Sequence, residues 1–131
     1  DQAAINAISS IELVHVCALI HDDVMDGSDT RRGAPAIHRL FEKLHINQKL
    51  SGSAQQFGVA SAILLGDLAL VGASKALHES GMDSPALTRA FPLYDEMRQI
   101  SSKPGSLLSQ SSKLIRERVS VALKLSSFDA M

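Results

Sequence analysis

The sequence predicts an all-α fold. Apolar residues recur with helical spacing over four segments, which are residues 3–25, 36–45, 54–80 and 84–100. Short stretches that contain Gly, Ser or Pro, which are typical of turns and loops, separate these segments. Period-two alternation, which is typical of β-strands, does not dominate any of the strong segments. We therefore expect a helical bundle.

The composition limits the class of function. The chain has 131 residues, 45% hydrophobic and 21% charged, which suits one globular domain with a sizeable core. The net charge of −1 and the low aromatic content argue against nucleic acid as a partner. The single cysteine, Cys17, cannot form an internal disulfide, so we expect a reducing compartment, the cytoplasm.

The start of the chain lacks a charged-then-apolar signal pattern, and neither it nor the apolar runs give a sign of export. The longest apolar run, residues 59–73, is interrupted by Asp67 before it reaches the roughly 20 residues that a bilayer requires. The chain starts without Met, inside an apolar-periodic stretch that no clear N-cap precedes. We therefore expect a fragment with no transmembrane segment.

The first predicted helix leads into the most informative segment, IHDDVMDGSDTRRG at residues 20–33. On a helix Asp22 and Asp26 stand on one face, and Asp23 is turned from Asp22 by about 100°. Magnesium takes one or two carboxylates, water and the phosphate oxygens of a substrate. A convergent Asp pair is therefore an incomplete magnesium site that a diphosphate would complete.

Two arginines, Arg31 and Arg32, follow in a stretch that its glycines make loop-like. Guanidinium groups bind phosphate oxygens in a bidentate manner, which supports a diphosphate ligand. The plainer alternative is a helix end followed by a solvated charge run, but the apolar residues 11–20 indicate a buried helix whose carboxylates need a partner. A calcium loop is excluded, because Val24 and Gly33 would occupy ligand positions.

The third segment, residues 54–80, has apolar or small residues on nearly every face. This pattern predicts a helix in the centre of a bundle, packed closely through its glycines at positions 58, 66 and 72. We interpret Asp67, its one interior charge, as structural, capping or bonding a neighbouring helix, with direct contact to the substrate as the alternative. The histidines His15, His21 and His38 are interpreted in the same way, as satisfied core or loop residues.

The composition changes near Arg98. Residues 99–131 contain nine serines, as many as residues 1–98, and Pro104 interrupts the helical pattern. Helical spacing returns only over residues 114–128. We therefore divide the chain into a core, residues 1–98, and a divergent Ser-rich tail, residues 99–131, which is either disordered or read in a shifted frame.

The order of motifs resembles the trans-isoprenyl diphosphate synthases, most closely the bacterial geranylgeranyl diphosphate synthases. The residues that carry the resemblance are HDDVMDGSDTRRG, PAIH at 35–38, GSA at 52–54, FG at 57–58 and AILLGD at 62–67. The resemblance implies an isoprenoid-synthase-type helical bundle, represented here by central helices only. It also implies a homodimer in the complete protein, with Mg²⁺ as cofactor.

The resemblance implies a role for each motif residue. Asp22, Asp23 and Asp26 would hold an allylic diphosphate through magnesium, and Arg31 would contact that diphosphate. Arg32 would contact isopentenyl diphosphate, whose alkene attacks the allylic cation. The metal and the arginines then supply the catalysis, and no side-chain nucleophile is required.

The resemblance implies that product length depends on the residues four and five positions before Asp22, which lie about 6 to 7.5 Å deeper along the helix. In the family, aromatic residues there limit chain growth. Here they are Ala18 and Cys17, both small, so we expect a twenty-carbon or longer product rather than a fifteen-carbon one. Both residues are also acceptable as ordinary core residues.

The sequence departs from the family pattern after Arg98. Gly105-Ser106 stands where Gly-Gln is expected, and a shifted frame over residues 103–106 can encode the expected residues. The second Asp-rich motif and the N-terminal site for isopentenyl diphosphate are outside this chain. We therefore expect weak or no turnover from the chain alone, and the alternatives are a helical interaction subunit without catalysis or a farnesyl synthase.

Overall fold

Four helices form the framework in the computed structural model, which describes residues 1–101. They are α1 (Gln2–Asp26), α2 (Ile37–Asn47), α3 (Ala54–His78) and α4 (Ser84–Ser101). The all-α prediction is confirmed, and each predicted segment corresponds to one helix. The Ser-rich tail from residue 102 onward, with its predicted helical segment 114–128, lies outside the described residues.

Polar side chains fix the starts of three helices. Asp1, Ser53 and Asp83 accept hydrogen bonds from the backbone N–H groups of Ala3, Gln56 and Ala86, at 3.0, 3.2 and 2.8 Å respectively. Such N-caps satisfy amides that have no partner inside the helix. The expectation that no N-cap precedes the first helix was therefore wrong, because Asp1 caps it.

A short hairpin, not predicted from the sequence, joins α1 to α2. Its strands are β1 (Thr30–Arg31) and β2 (Ala34–Pro35), which pair antiparallel. The two turn residues, Arg32 and Gly33, have φ values of 50° and 79°. Positive φ at both central residues is the geometry of a type I′ turn, which matches the twist of paired strands.

The chain divides into two compact units. The flanking unit consists of residues 1–15 and, in the described part, residues 70–101; the central unit consists of residues 16–69. The core of the flanking unit takes residues from three helices at positions that share one face of each. These are Ala7, Ile11 and Val14 of α1, Ala73 and Leu77 of α3, and Ala90, Tyr94 and Met97 of α4.

Helix α3 is less buried than its sequence predicted. Leu64 and Leu68 in the central unit are 68% and 66% exposed, and Val71 in the flanking unit is 68% exposed. A Cβ atom added at Gly58 or Gly66 would meet neighbouring atoms at 2.3 Å, whereas one added at Gly72 would meet none within 4 Å. The prediction of burial on every face was therefore wrong among residues 1–101, and close packing holds for two of the three glycines.

Two helices, α1 and α3, are long and apolar enough to span a bilayer by length and composition, each with a mean hydropathy of 1.8. Asp67 therefore does not prevent α3 from meeting this criterion. Core helices of soluble proteins meet it as well. The absence of a transmembrane segment remains an expectation from the sequence.

Candidate functional site

The acidic segment lies at the C-terminal end of α1, in the central unit. Gly27, with φ of 64°, ends the helix, and Ser28 N–H donates to the Asp23 carbonyl at 3.0 Å while Gly27 N–H donates to the Val24 carbonyl at 3.3 Å. This pair of bonds is a Schellman motif. The last turn of α1 contains no basic residue. Its carboxylates therefore lie at the negative end of the helix dipole, where anionic side chains are unfavourable.

Asp22 and Asp26 are close enough to repel each other. Burial raises the pKa of Asp22, and the charge of Asp26 raises that pKa further, while Arg31 opposes the change. Asp22 is half-buried and Asp26 is exposed. A hard divalent cation between the two carboxylates would relieve this repulsion, and carboxylate oxygens are the ligands that magnesium prefers. The pair therefore fits magnesium.

Asp23 faces Arg31 instead. The Arg31 Nε donates to Asp23 Oδ2 at 2.9 Å and its Nη2 donates to Oδ1 at 2.7 Å. The Asp23 side chain is 7% exposed and that of Arg31 is 38% exposed. The hydrogen bonds to Asp23 raise the pKa of Arg31. This bidentate ion pair ties the hairpin to the end of α1.

The three aspartates predicted as metal ligands thus have different surroundings. Asp22 and Asp26 interact with each other, whereas Asp23 forms an ion pair with Arg31. No group of three His, Cys, Asp or Glu side chains within residues 1–101 is gathered closely enough to hold a metal ion. Asp22 and Asp26 provide two candidate metal ligands, and Asp23 would have to release Arg31 to become a third. Metal binding by the three aspartates remains a prediction.

Arg32 differs from Arg31 in both backbone and side chain. It is exposed, and its φ of 50° places it in the left-handed region that side chains rarely adopt. Within the part of the chain that the structure describes, its guanidinium has no hydrogen-bond or ion-pair partner. The hairpin therefore presents one tethered arginine and one free arginine, and the free one is available to an anionic ligand.

An open, mainly apolar cavity of about 230 Å³ adjoins the ion pair. Its α1 wall is one helical face, because the lining positions are separated by three or four residues. The lining residues are Val16, Leu19, Ile20, Asp23, Arg31, Pro35, Ala36 and Ile37. Neither Asp22 nor Asp26 is among the lining residues, although Asp26 lies one turn beyond Asp23 on the same side of α1.

The two predicted chain-length residues are small and buried. Cys17 is 3% exposed and Ala18 is 7% exposed. Neither lines the 230 Å³ cavity. Ala18 lies one helical turn before Asp22, as the sequence indicated. Their role in product length remains a prediction.

The Cys17 thiol is expected to react slowly with iodoacetamide. Burial, and then the charge of Asp67, raise the pKa of Cys17 to about 11, from 9.0 for a free thiol. Only the thiolate is nucleophilic, so at pH 8 we expect a rate at least about tenfold below that of a cysteine in a short peptide, and a rate that continues to rise with pH until about pH 11. The rates can be followed by mass spectrometry. The chain unfolded in urea is the control and should react at the peptide rate; a folded chain that matched it would contradict the assignment.

Asp67 contacts a neighbouring helix, as interpreted from the sequence. His21 Nε2 lies 3.4 Å from Asp67 Oδ1 and 3.2 Å from the Ile63 carbonyl oxygen. His38 departs from the expectation of a satisfied histidine. It is 4% exposed, and its Nδ1 has no hydrogen-bond partner among the described residues.

Arg39 was not singled out from the sequence. Its Nε donates to Asp29 Oδ1 at 2.8 Å, and its Nη1 donates to Glu42 Oε2 at 2.6 Å. The Asp29 backbone carbonyl also accepts a bond of 2.9 Å from Ala36 N–H. These contacts fasten the segment that carries the hairpin to α2. The i, i+3 spacing to Glu42 was visible in the sequence, whereas the bond to Asp29 depends on the hairpin.

Comparison with known proteins agrees with the fold and the motif. The sequence profile of the polyprenyl synthetase family matches residues 1–102, and the chain belongs to this family. A solved structure of geranylgeranyl pyrophosphate synthase from Corynebacterium glutamicum, complexed with isoprenyl diphosphate and magnesium, is 43% identical. It matches with a TM-score of 0.73 over 76% of this chain and 28% of that one. The resemblance stated from the motifs is thereby confirmed, as is the isoprenoid-synthase fold.

Curated relatives include enzymes of more than one product length. Geranylgeranyl diphosphate synthase from Saccharolobus solfataricus is 30% identical over 78% of this chain and 26% of its own length. Farnesyl diphosphate synthase from Bacillus subtilis is 27% identical over 88% of this chain and 34% of its own length. The chain thus spans about a quarter to a third of the length of these relatives.

Proposed function

We propose that the chain is part of a magnesium-dependent trans-prenyltransferase that condenses isopentenyl diphosphate with an allylic diphosphate. The observation that carries the proposal is the end of α1. There, two carboxylates repel each other and lie beside a hairpin that presents one tethered and one free arginine. A magnesium diphosphate would relieve the repulsion and supply an anion for the arginines.

Each residue has a proposed task in this site. Asp22 and Asp26 bind the metal ion, and Asp23 keeps Arg31 in a fixed orientation toward the allylic diphosphate. Arg32, which is free in the described chain, binds isopentenyl diphosphate. Bound magnesium supplies electrostatic stabilisation for the charge that develops on the departing diphosphate.

For the product we propose a geranylgeranyl-type, twenty-carbon chain or a longer one. The small side chains of Cys17 and Ala18 below the carboxylates support this length, as do relatives named geranylgeranyl diphosphate synthase. A farnesyl product is the alternative, since a farnesyl diphosphate synthase is also among the relatives. We further propose that the complete protein is a cytoplasmic homodimer.

A second candidate function is that of a helical interaction subunit without catalysis. It is favoured by the exposed apolar residues Leu64 and Leu68 of α3, because large exposed apolar side chains in one helix turn suit contact with another helix. This chain covers a minor part of its relatives, so we expect weak or no turnover from it alone.

A product assay separates these proposals. The chain is incubated with magnesium, isopentenyl diphosphate and allylic diphosphates of five, ten and fifteen carbons, with circular dichroism to confirm helicity. A twenty-carbon product supports the proposed chain length and overturns the expectation of weak turnover if it forms rapidly. A product that stops at fifteen carbons contradicts the role of Cys17 and Ala18. A folded chain that makes no product and binds no diphosphate supports the interaction subunit.

A further inference from the structure

The imidazole ring of His21 packs against Gly66 and Asp67 of α3. A Cβ atom at position 66 would lie 2.3 Å from His21 Nε2 and 2.6 Å from its Cδ2, so only glycine leaves room for the imidazole. The Asp67 carboxylate lies at the edge of the ring, with its Oδ1 3.4 Å from His21 Nε2. Both helices belong to the central unit at these positions. The contact joins residues that are more than forty positions apart in the sequence.

The contacts of His21 select one tautomer. Nε2 faces two acceptors, the Asp67 carboxylate and the Ile63 carbonyl at 3.2 Å, so Nε2 carries the hydrogen and donates it. Nδ1 lies 3.8 Å from Cys17 Sγ and accepts from the thiol S–H. The two ring nitrogens therefore have different partners on opposite sides. His21 is therefore held by hydrogen bonds to Cys17 Sγ and to the Ile63 carbonyl and by its close contact with Asp67.

These contacts of His21 are more suited to orientation than to stability. The Asp67 side chain is 59% exposed, and ion pairs of exposed groups contribute little to folding. His21, however, directly precedes Asp22 in the turn of α1 before the last one, close to the helix end, where helices fray. Anchoring this ring to α3 limits both rotation and fraying of the segment that carries Asp22 and Asp26.

We propose that His21, packed against Gly66 and in close contact with Asp67, is a positioning residue that holds the carboxylates of Asp22 and Asp26 in place. Its effect on ligand binding rests on the proposed function, because those carboxylates are the proposed metal ligands. Groups outside the metal shell that orient its ligands have measurable effects on affinity.

The test compares Asp67→Ala with Asp67→Asn in the full 131-residue chain. Asparagine keeps a side-chain oxygen beside His21 Nε2 and alanine removes it, while the Ile63 carbonyl stays as an acceptor in both variants. Glu79→Ala is the matched control, because it removes an exposed carboxylate just beyond the end of α3. Three properties are measured: the ¹⁵N shifts of the His21 ring with the ¹³Cγ shifts of Asp22 and Asp26, the unfolding midpoint in urea, and the binding of inorganic pyrophosphate with magnesium.

We expect an Nε2–H ring in the wild-type chain. In Asp67→Ala the Asp22 and Asp26 carboxyl resonances should move and pyrophosphate binding should weaken by about tenfold. Its urea midpoint should fall no further than that of Glu79→Ala, and Asp67→Asn should retain wild-type behaviour.

Each contrary result has a separate meaning. A wild-type ring that carries its hydrogen on Nδ1, or carboxyl resonances that do not move in Asp67→Ala, overturns the positioning role. If Asp67→Ala fails to fold, the ring shift of the wild-type chain and the carboxyl resonances of Asp67→Asn still decide, since any large movement in the latter contradicts the role. If the wild-type chain binds no pyrophosphate but the resonances move as expected, the proposed function fails and the positioning role stands.

Discussion

Replacing Arg31 with alanine is expected to lower the free energy of unfolding by about 2 kcal/mol. The change leaves the Asp23 carboxylate buried, at 7% exposure, without the two hydrogen bonds that now satisfy it. Removing one partner of a fully buried pair costs about 3 to 5 kcal/mol, and the 38% exposure of Arg31 reduces that figure. Urea unfolding followed by circular dichroism measures the change.

Two companion variants sharpen this expectation. Asp23→Ala should cost less than Arg31→Ala, because the released guanidinium can turn to solvent whereas the released carboxylate cannot. Arg32→Ala is the matched control, since Arg32 is exposed, and we expect a change within about 0.5 kcal/mol. Equal effects of Arg31→Ala and Arg32→Ala would show that the ion pair does not secure the hairpin.

The double variant Asp22→Asn, Asp26→Asn is expected to weaken magnesium-dependent pyrophosphate binding while it stabilises the fold. Loss of both proposed ligands should lower affinity by about a hundredfold, which corresponds to about 2.8 kcal/mol. Without ligand, the variant should be more stable by about 0.5 to 1 kcal/mol, because it removes two anions from the negative end of α1. Calorimetry and urea unfolding measure the two quantities.

The pH dependence of that stabilisation follows from the pKa of Asp22. Folding raises this pKa, so the ionised carboxylate costs stability at pH 7, and the cost disappears as the pH falls below the ordinary range of an aspartate. The gain in the double variant should therefore be present at pH 7 and vanish near pH 3. Glu79→Gln, an exposed carboxylate in the flanking unit, should change neither affinity nor stability. A double variant that loses stability at pH 7 would contradict the inferred repulsion.

The helices were predictable because their apolar periodicity is a local property of the chain. The same holds for the face shared by Asp22 and Asp26, which follows from helix geometry. The hairpin was not predictable, because strands of two residues are too short to show alternation and Arg32 is an unusual residue for a position with positive φ. The partner of Asp23 depends on that hairpin and was missed with it.

Long-range contacts account for the other differences. The Gly66-Asp67 motif was recognised as a pattern, but its contact with His21 depends on how α1 packs against α3 within the central unit. Leu64 and Leu68 are exposed although the apolar pattern of α3 predicted their burial. An apolar helix indicates that it needs a packing partner, but the pattern does not identify that partner.

The central claim is that the end of α1 and the hairpin bind a diphosphate through magnesium. Calorimetric titration of the full 131-residue chain with inorganic pyrophosphate, with and without magnesium, tests it most directly. We expect binding that requires magnesium and that weakens in both Asp26→Asn and Arg31→Ala. Absence of magnesium-dependent binding by the folded chain, or equal binding by wild type and both variants, would contradict it.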